Sequence, residues 1–97
     1  QVNYSASKSA LMGFVRSLAL EVAKRGVTSN IVAPGFIDTR MTQSLPEKHQ
    51  DHLNNMIPMK RCGQVGEVSS IIEFLASESA SYITGQVIHV NGGLFFG

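Results

Sequence analysis

Two short stretches of this chain read as β-strand, and the helical sequence lying between them constrains the fold more than any other feature. Val27-Thr28-Ser29-Asn30-Ile31-Val32-Ala33 is rich in β-formers and stops at Pro34-Gly35. Gln86-Val87-Ile88-His89-Val90 is the second stretch, and Asn91-Gly92-Gly93 turns out of it. A connection carrying helices joins parallel strands, whereas a hairpin joins antiparallel ones. Parallel strands are covered on both faces and need neighbours, so two of them do not make a stable sheet. The expected order is helix, strand, helix, helix, strand, an α/β pattern that describes one edge of a larger sheet.

The helices are read from their periods. A long first helix is expected over residues 5–25, because Leu11, Phe14, Val15, Leu18 and Val22 line one face. Ala6, Ala10, Gly13 and Ser17 form a second row of small side chains that would let another helix approach. Lys24 and Arg25 suit the negative end of the helix dipole, and Gly26 suits the position just past the end. Ser44-Leu45-Pro46-Glu47 has capping-box spacing with proline in the first turn, which predicts a helix to about Asn55. Leu53, Met56 and Ile57 would be its apolar contacts. Gly63 to Gly66 is expected to break the chain. Val68, Ile71, Ile72 and Leu75 then predict a third helix to about Ser77, and a serine-rich turn leads into the last strand.

Composition narrows the classes of function. Hydrophobic residues make up 43% of the 97 positions and charged residues 15%, so much of the surface is suited to being covered. A net charge of +1 favours neither nucleic acid nor membrane as a partner. No apolar run approaches the length of a membrane span, and no signal-peptide pattern opens the chain. The single cysteine, Cys62, forms no internal disulfide and reads as a small half-buried hydrophobe. A reducing, cytoplasmic setting is expected. His49, His52 and His89 lack ligand spacing with acidic or cysteine partners, and no metal is expected.

Tyr4 and Lys8 carry the chemistry. Four residues apart on a helix, their side chains share one face. A phenol ordinarily titrates near pH 10, too high for proton exchange at neutral pH. An adjacent ammonium favours the phenolate, so such a pair can act as a tuned general acid. On spacing alone, a surface pair is the commoner arrangement.

The surrounding wording gives the pair its context. Tyr4-Ser5-Ala6-Ser7-Lys8 is followed by Asn30-Ile31-Val32-Ala33-Pro34-Gly35, then Phe36-Ile37-Asp38-Thr39-Arg40-Met41, then Tyr82-Ile83-Thr84-Gly85 and Val90-Asn91-Gly92-Gly93. In order, spacing and wording this series resembles the short-chain dehydrogenase/reductase family from end to end. Within it the likeness is greatest to the 3-oxoacyl-[acyl-carrier-protein] reductases, in Pro34-Gly35-Phe36-Ile37, in Ile57-Pro58 and in Asn91-Gly92-Gly93.

The resemblance implies the C-terminal portion of a doubly wound parallel-sheet Rossmann fold, with residues 1–97 part of a single reductase domain. It implies NADP, or alternatively NAD, as cofactor, and reduction of a 3-oxoacyl thioester on acyl carrier protein to the 3-hydroxyacyl form in fatty acid biosynthesis. Tyr4 would donate the proton as nicotinamide delivers hydride. Lys8 would tune Tyr4 and hydrogen-bond the nicotinamide ribose. Pro34-Gly35 would lie beside the nicotinamide ring, beyond the carboxyl end of a strand. Ile37 would hold the carboxamide through its backbone, and Thr39 through its hydroxyl, although a plain loop or cap role suits Thr39 better. Lys24 and Arg25 would receive the acidic carrier protein, and Met41 would touch substrate. A homotetramer is implied, with Leu94-Phe95-Phe96 near a subunit contact.

Some of the family's machinery is not among these residues. The glycine-rich dinucleotide fingerprint, the serine that polarises the carbonyl and the asparagine that holds a relay water belong to an N-terminal part expected to lie outside the chain. Ser29 stands where relatives usually have valine. The alternatives are a related reductase of a sugar, steroid or quinone carbonyl, and a catalytically silent fragment that acts by packing.

Overall fold

The structure, a computed structural model, describes residues 2–95, with side chains from Ser5 onward. Its elements are α1 (Val2–Val22), β1 (Ile31–Pro34), α2 (Arg40–Gln43), α3 (Glu47–Met56), α4 (Val65–Leu75) and β2 (Val87–Val90). The 3₁₀ turns Ala23–Arg25 and Glu78–Ala80 follow α1 and α4. The strands pair with each other. The Ile31 amide donates to Gln86 O at 2.8 Å and the Gly35 amide to Val90 O at 3.0 Å. Both partners advance together along the chain, so the pair is parallel. The chain is α/β, as expected for part of a doubly wound parallel sheet.

Two compact units make up the chain: residues through Ile31 with Glu73–Ile88, and Val32–Ile72 with the residues from His89 on. In the first unit Val15, Ala19, Val22 and Ala80 are buried. The covered row of α1 is therefore Val15-Ala19-Val22. Leu11 and Phe14, expected on the same face, lie open, Phe14 being 65% exposed. The loop before β2 explains the shift, because a Cβ at Gly85 would lie 3.5 Å from Ala19 Cβ and 4.0 Å from Arg16 Cγ. The small row Ala6, Ala10, Gly13 and Ser17 is exposed. Ile57, the most buried side chain of the second unit at 1% exposed, fills the space beside Gly92.

Helix α1 starts earlier than its apolar period suggests and takes in Tyr4. It ends as expected, with Gly26 in the left-handed region at φ 72° and its amide bonded to Ala23 O at 3.0 Å. Strand β1 starts later than expected. Ser29 and Asn30 precede it, and side-chain bonds join one main-chain bond there, from the Gly85 amide to Ser29 O at 2.7 Å. The Ser29 amide donates to Thr84 Oγ1 at 3.0 Å, Asn30 Nδ2 donates to Ile83 O at 3.1 Å, and the Gln86 amide donates to Asn30 Oδ1 at 3.0 Å. The serine in place of valine is thus outside the strand.

The expected capping box at Ser44–Glu47 is absent. Pro46 occupies the N-cap of α3 and makes no side-chain cap bond. Ser44 Oγ instead donates back to Met41 O at 2.8 Å. A capping box is found earlier, where Thr39 and Thr42 bond each other's backbone amides at the start of α2. Gly66, expected in a break, lies inside α4. That helix starts at Val65 because Glu67 Oε1 accepts from the Gln64 amide at 2.9 Å.

Candidate functional site

Residues 34–39 leave β1 at its carboxyl end and form one continuous segment of the second unit. Gly35 sits hard against Asn91. A Cβ there would be 2.7 Å from Asn91 Cβ and 3.0 Å from Asn91 Cα. Its φ is not positive, so packing against the neighbouring strand end, not conformation, is what demands glycine here. Asn91 is itself fixed. Its Nδ2 donates to Phe95 O at 2.9 Å and its Oδ1 accepts from the Gly93 amide at 3.0 Å.

Beyond Gly35 the segment is held from a second side. Ile37 and Gly63 form an isolated parallel bridge. The Gly63 amide donates to Phe36 O at 2.9 Å and the Asp38 amide donates to Gly63 O at 2.7 Å. In a parallel bridge both bonds come from the residues flanking the bridged one, so the N–H and C=O of Ile37 point away from Gly63. One donor and one acceptor on a single peptide strand edge complement a carboxamide, which has N–H donors and a carbonyl acceptor side by side. Asp38 secures the far end, its carboxylate accepting from Thr42 Oγ1 at 3.3 Å and Gln64 Nε2 at 3.4 Å. Thr39 is the N-cap of α2, its hydroxyl oxygen accepting from the Thr42 amide at 3.4 Å. Met41, on that short helix, is 82% exposed.

Tyr4 and Lys8 belong to the first unit, one turn apart on α1. The side chain of Tyr4 lies outside the described part, and Lys8 is half-buried. Lys24 and Arg25 are exposed in the 3₁₀ turn that continues α1. Of the tail trio, Leu94 and Phe95 are exposed and Phe96 lies outside the described residues.

A concavity of about 490 Å³ includes none of the residues expected to act in catalysis, cofactor binding or carrier docking. Met59, Arg61, Glu67, His89, Asn91 and Phe95 are among those lining it. His89 stands edge-on to Phe95 with ring centroids 5.2 Å apart, and its Nε2 is buried with no hydrogen-bond partner among the described residues. A smaller concavity of about 190 Å³ includes Asp38, Thr42, Asn54 and Cys62. Cys62 is half-buried, its thiol 3.6 Å from Asn54 Oδ1. Arg61 and Glu67 form an ion pair at 2.8 Å, with the second guanidinium nitrogen 2.9 Å from the other carboxylate oxygen. The bonds from Arg61, and then from the Gln64 amide, lower the Glu67 carboxyl from its usual 4.5 to about 2. Among the described residues no cluster of histidine, cysteine and carboxylate side chains could hold a metal ion. No described helix is long and apolar enough to cross a membrane.

Gly63 and Asn91 are the supports that sequence reasoning passed over. Gly63 read only as a chain breaker, and Asn91 as a turn and as part of the Asn91-Gly92-Gly93 likeness. A glycine that must admit another backbone leaves the same letter as one that ends a helix.

Comparison with known proteins places the whole chain beside one set of relatives. The family model described as enoyl-(acyl carrier protein) reductase matches residues 1–95. The 3-oxoacyl-[acyl-carrier-protein] reductase FabG of Buchnera aphidicola subsp. Schizaphis graminum is 58% identical over 98% of this chain and 39% of its own length. The protein of the same name from Aquifex aeolicus is 55% identical over 98% of this chain and 38% of its own. That of Escherichia coli is 48% identical over 98% and 39%. The chain thus spans well under half the length of these relatives.

Proposed function

The chain belongs to the short-chain dehydrogenase/reductase family, and from that we propose that it is the C-terminal part of a single Rossmann-type domain that reduces a 3-oxoacyl thioester on acyl carrier protein. The observation that carries this reading is the likeness, over 98% of the chain, to proteins named for that reaction. The family model is described by a different reduction, that of an enoyl thioester. We give the relatives more weight for the substrate, since identity near or above half of all positions is narrower than a family description.

In this reading the cofactor is NADP, with NAD the alternative, whose reduced form would supply hydride to the 3-carbon of the substrate. Tyr4 gives the proton to the carbonyl oxygen, which becomes the 3-hydroxyl. Lys8, one turn along α1, stabilises the phenolate that remains and bonds the nicotinamide ribose. Pro34 and Gly35 border the ring, and the Ile37 peptide faces the carboxamide. The Thr39 hydroxyl lies next along the segment. Met41 meets the acyl chain, and Lys24 with Arg25 receives the acidic carrier protein. The open small row of α1 suits close pairing with the same helix of another copy, toward a homotetramer in the cytoplasm.

The test is made on the protein that contains this chain. Oxidation of NADPH is followed with a 3-oxoacyl thioester, an enoyl thioester, and sugar, steroid and quinone carbonyls. Fastest turnover on the 3-oxoacyl thioester is expected. Preference for any of the others contradicts the reading.

A further inference from the structure

Gly63 lies 26 residues along the chain from Ile37, yet it supplies both backbone bonds that hold the residues flanking Ile37. Those bonds, at 2.9 Å to Phe36 O and 2.7 Å from the Asp38 amide, leave the peptide groups of Ile37 facing the other way. The absence of a side chain at 63 is part of the geometry. A Cβ there would lie 3.1 Å from Ile37 Cδ1, a contact tight enough that the end of the Ile37 side chain or the bridge must give by a few tenths of an ångström, and 3.9 Å from Phe36 O. A branched side chain would carry further atoms into the same gap. Gly63 itself is fixed by its neighbours, because Gln64 bonds Asp38 through its side chain and Glu67 through its amide.

We propose that Gly63 is a positioning residue, which aims the Ile37 N–H and C=O at the carboxamide of the nicotinamide ring. It touches neither cofactor nor substrate. It fixes the direction of the one peptide that reads the carboxamide, and so sets how well the nicotinamide half of the dinucleotide is held. The proposal rests on the nicotinamide-dependent reading of the chain given above.

The consequence is selective. Widening the bridge should weaken binding of the nicotinamide half and leave the adenosine half unaffected. The test compares dissociation constants for three probes in the whole protein: NADP⁺, its 3-acetylpyridine analogue, which lacks the carboxamide N–H, and 2′-phospho-ADP-ribose, which lacks the nicotinamide ring. Gly63→Val should weaken NADP⁺ by roughly 3- to 30-fold, the worth of one or two hydrogen bonds. It should leave 2′-phospho-ADP-ribose unchanged. The preference of the parent for NADP⁺ over the acetylpyridine analogue should disappear in the variant. Adding Ile37→Ala removes the side chain that meets the new one and keeps the peptide, so the double variant should recover that preference. If Gly63→Val folds too poorly to be measured, the milder Gly63→Ala gives the same comparison with a smaller change.

Equal weakening of all three probes would overturn the proposal in favour of a general structural role. Unchanged NADP⁺ binding in a folded Gly63→Val protein would overturn it as well. A parent protein that binds no dinucleotide in either phosphorylation state would instead remove the functional reading itself, and this proposal with it.

Discussion

Replacing Gly35 by alanine should destabilise the protein through a single cause. The new Cβ would stand 2.7 Å from Asn91 Cβ, 3.0 Å from Asn91 Cα and 3.6 Å from Asn91 O. Unbonded carbon atoms sit roughly 3.5–4.0 Å apart, so the first contact is short by about 1 Å. A rotamer change gives no relief, because the crowded atoms are the backbone of Asn91 and the first atom of its side chain. The strand ends must move apart instead. The 3.0 Å bond from the Gly35 amide to Val90 O and the two side-chain bonds of Asn91 resist that movement. Overpacking of this kind costs about 1–3 kcal/mol. In a domain of 150–250 residues that corresponds to a fall in Tm of roughly 2–12 °C. Thermal unfolding of the whole protein measures it. Asn91→Gly in the same background removes the shortest contact, so the two changes should couple favourably by roughly 0.5–3 kcal/mol. A Gly35→Ala protein that melts with its parent, or a double variant whose losses simply add, would refute the close approach.

Other outcomes follow from single features. Because the folded Glu67 carboxyl is depressed to about 2 from 4.5, its contribution is present above pH 4.5 and fades as pH falls toward 2. Urea midpoints of parent and Glu67→Gln should therefore converge across that window, and a difference independent of pH would contradict the pairing. Lys60 has φ 62°, and its Nζ donates to Asn55 O at 2.7 Å. Lys60→Val should cost about 1–2 kcal/mol in denaturant melts and Lys60→Gly much less, whereas equal losses would remove the backbone explanation. Reversing both Lys24 and Arg25 to glutamate should raise KM for a carrier-linked substrate, most at low salt, and spare a small uncharged ketone. Equal effects on both substrates would refute docking there.

How much of this was legible in the sequence depended on whether a residue's role repeats with a period. Helix α4, strand β2 and the end of α1 at Gly26 were legible because apolar spacing and a left-handed glycine are local signals. The start of β1 was not, since Ser29 and Asn30 lie in a run of β-formers while their bonds go to Thr84, Ile83 and Gln86. The capping box misled for a related reason. Ser44 had the right spacing to Glu47, but its hydroxyl closes the helix before it, and Gln50 Nε2 reaches back to Leu45 O at 2.7 Å to hold the turn. The spacing of Tyr4 and Lys8 was legible because it is fixed by a helix, and α1 carries both residues. The supports of the Pro34–Thr39 segment were not, because the Ile37–Gly63 bridge involves one residue from each side and leaves no pattern.

The central claim is that Tyr4 is the proton donor of a nicotinamide-dependent carbonyl reduction. The most direct measurement is the turnover of Tyr4→Phe, in the protein that contains this chain, on a 3-oxoacyl thioester with NADPH, alongside the cofactor's dissociation constant. The account predicts a fall in kcat of at least roughly 10² to 10⁴, the range for general acid catalysis, with cofactor binding nearly unchanged. A Tyr4→Phe protein that keeps close to the parent's turnover would contradict it.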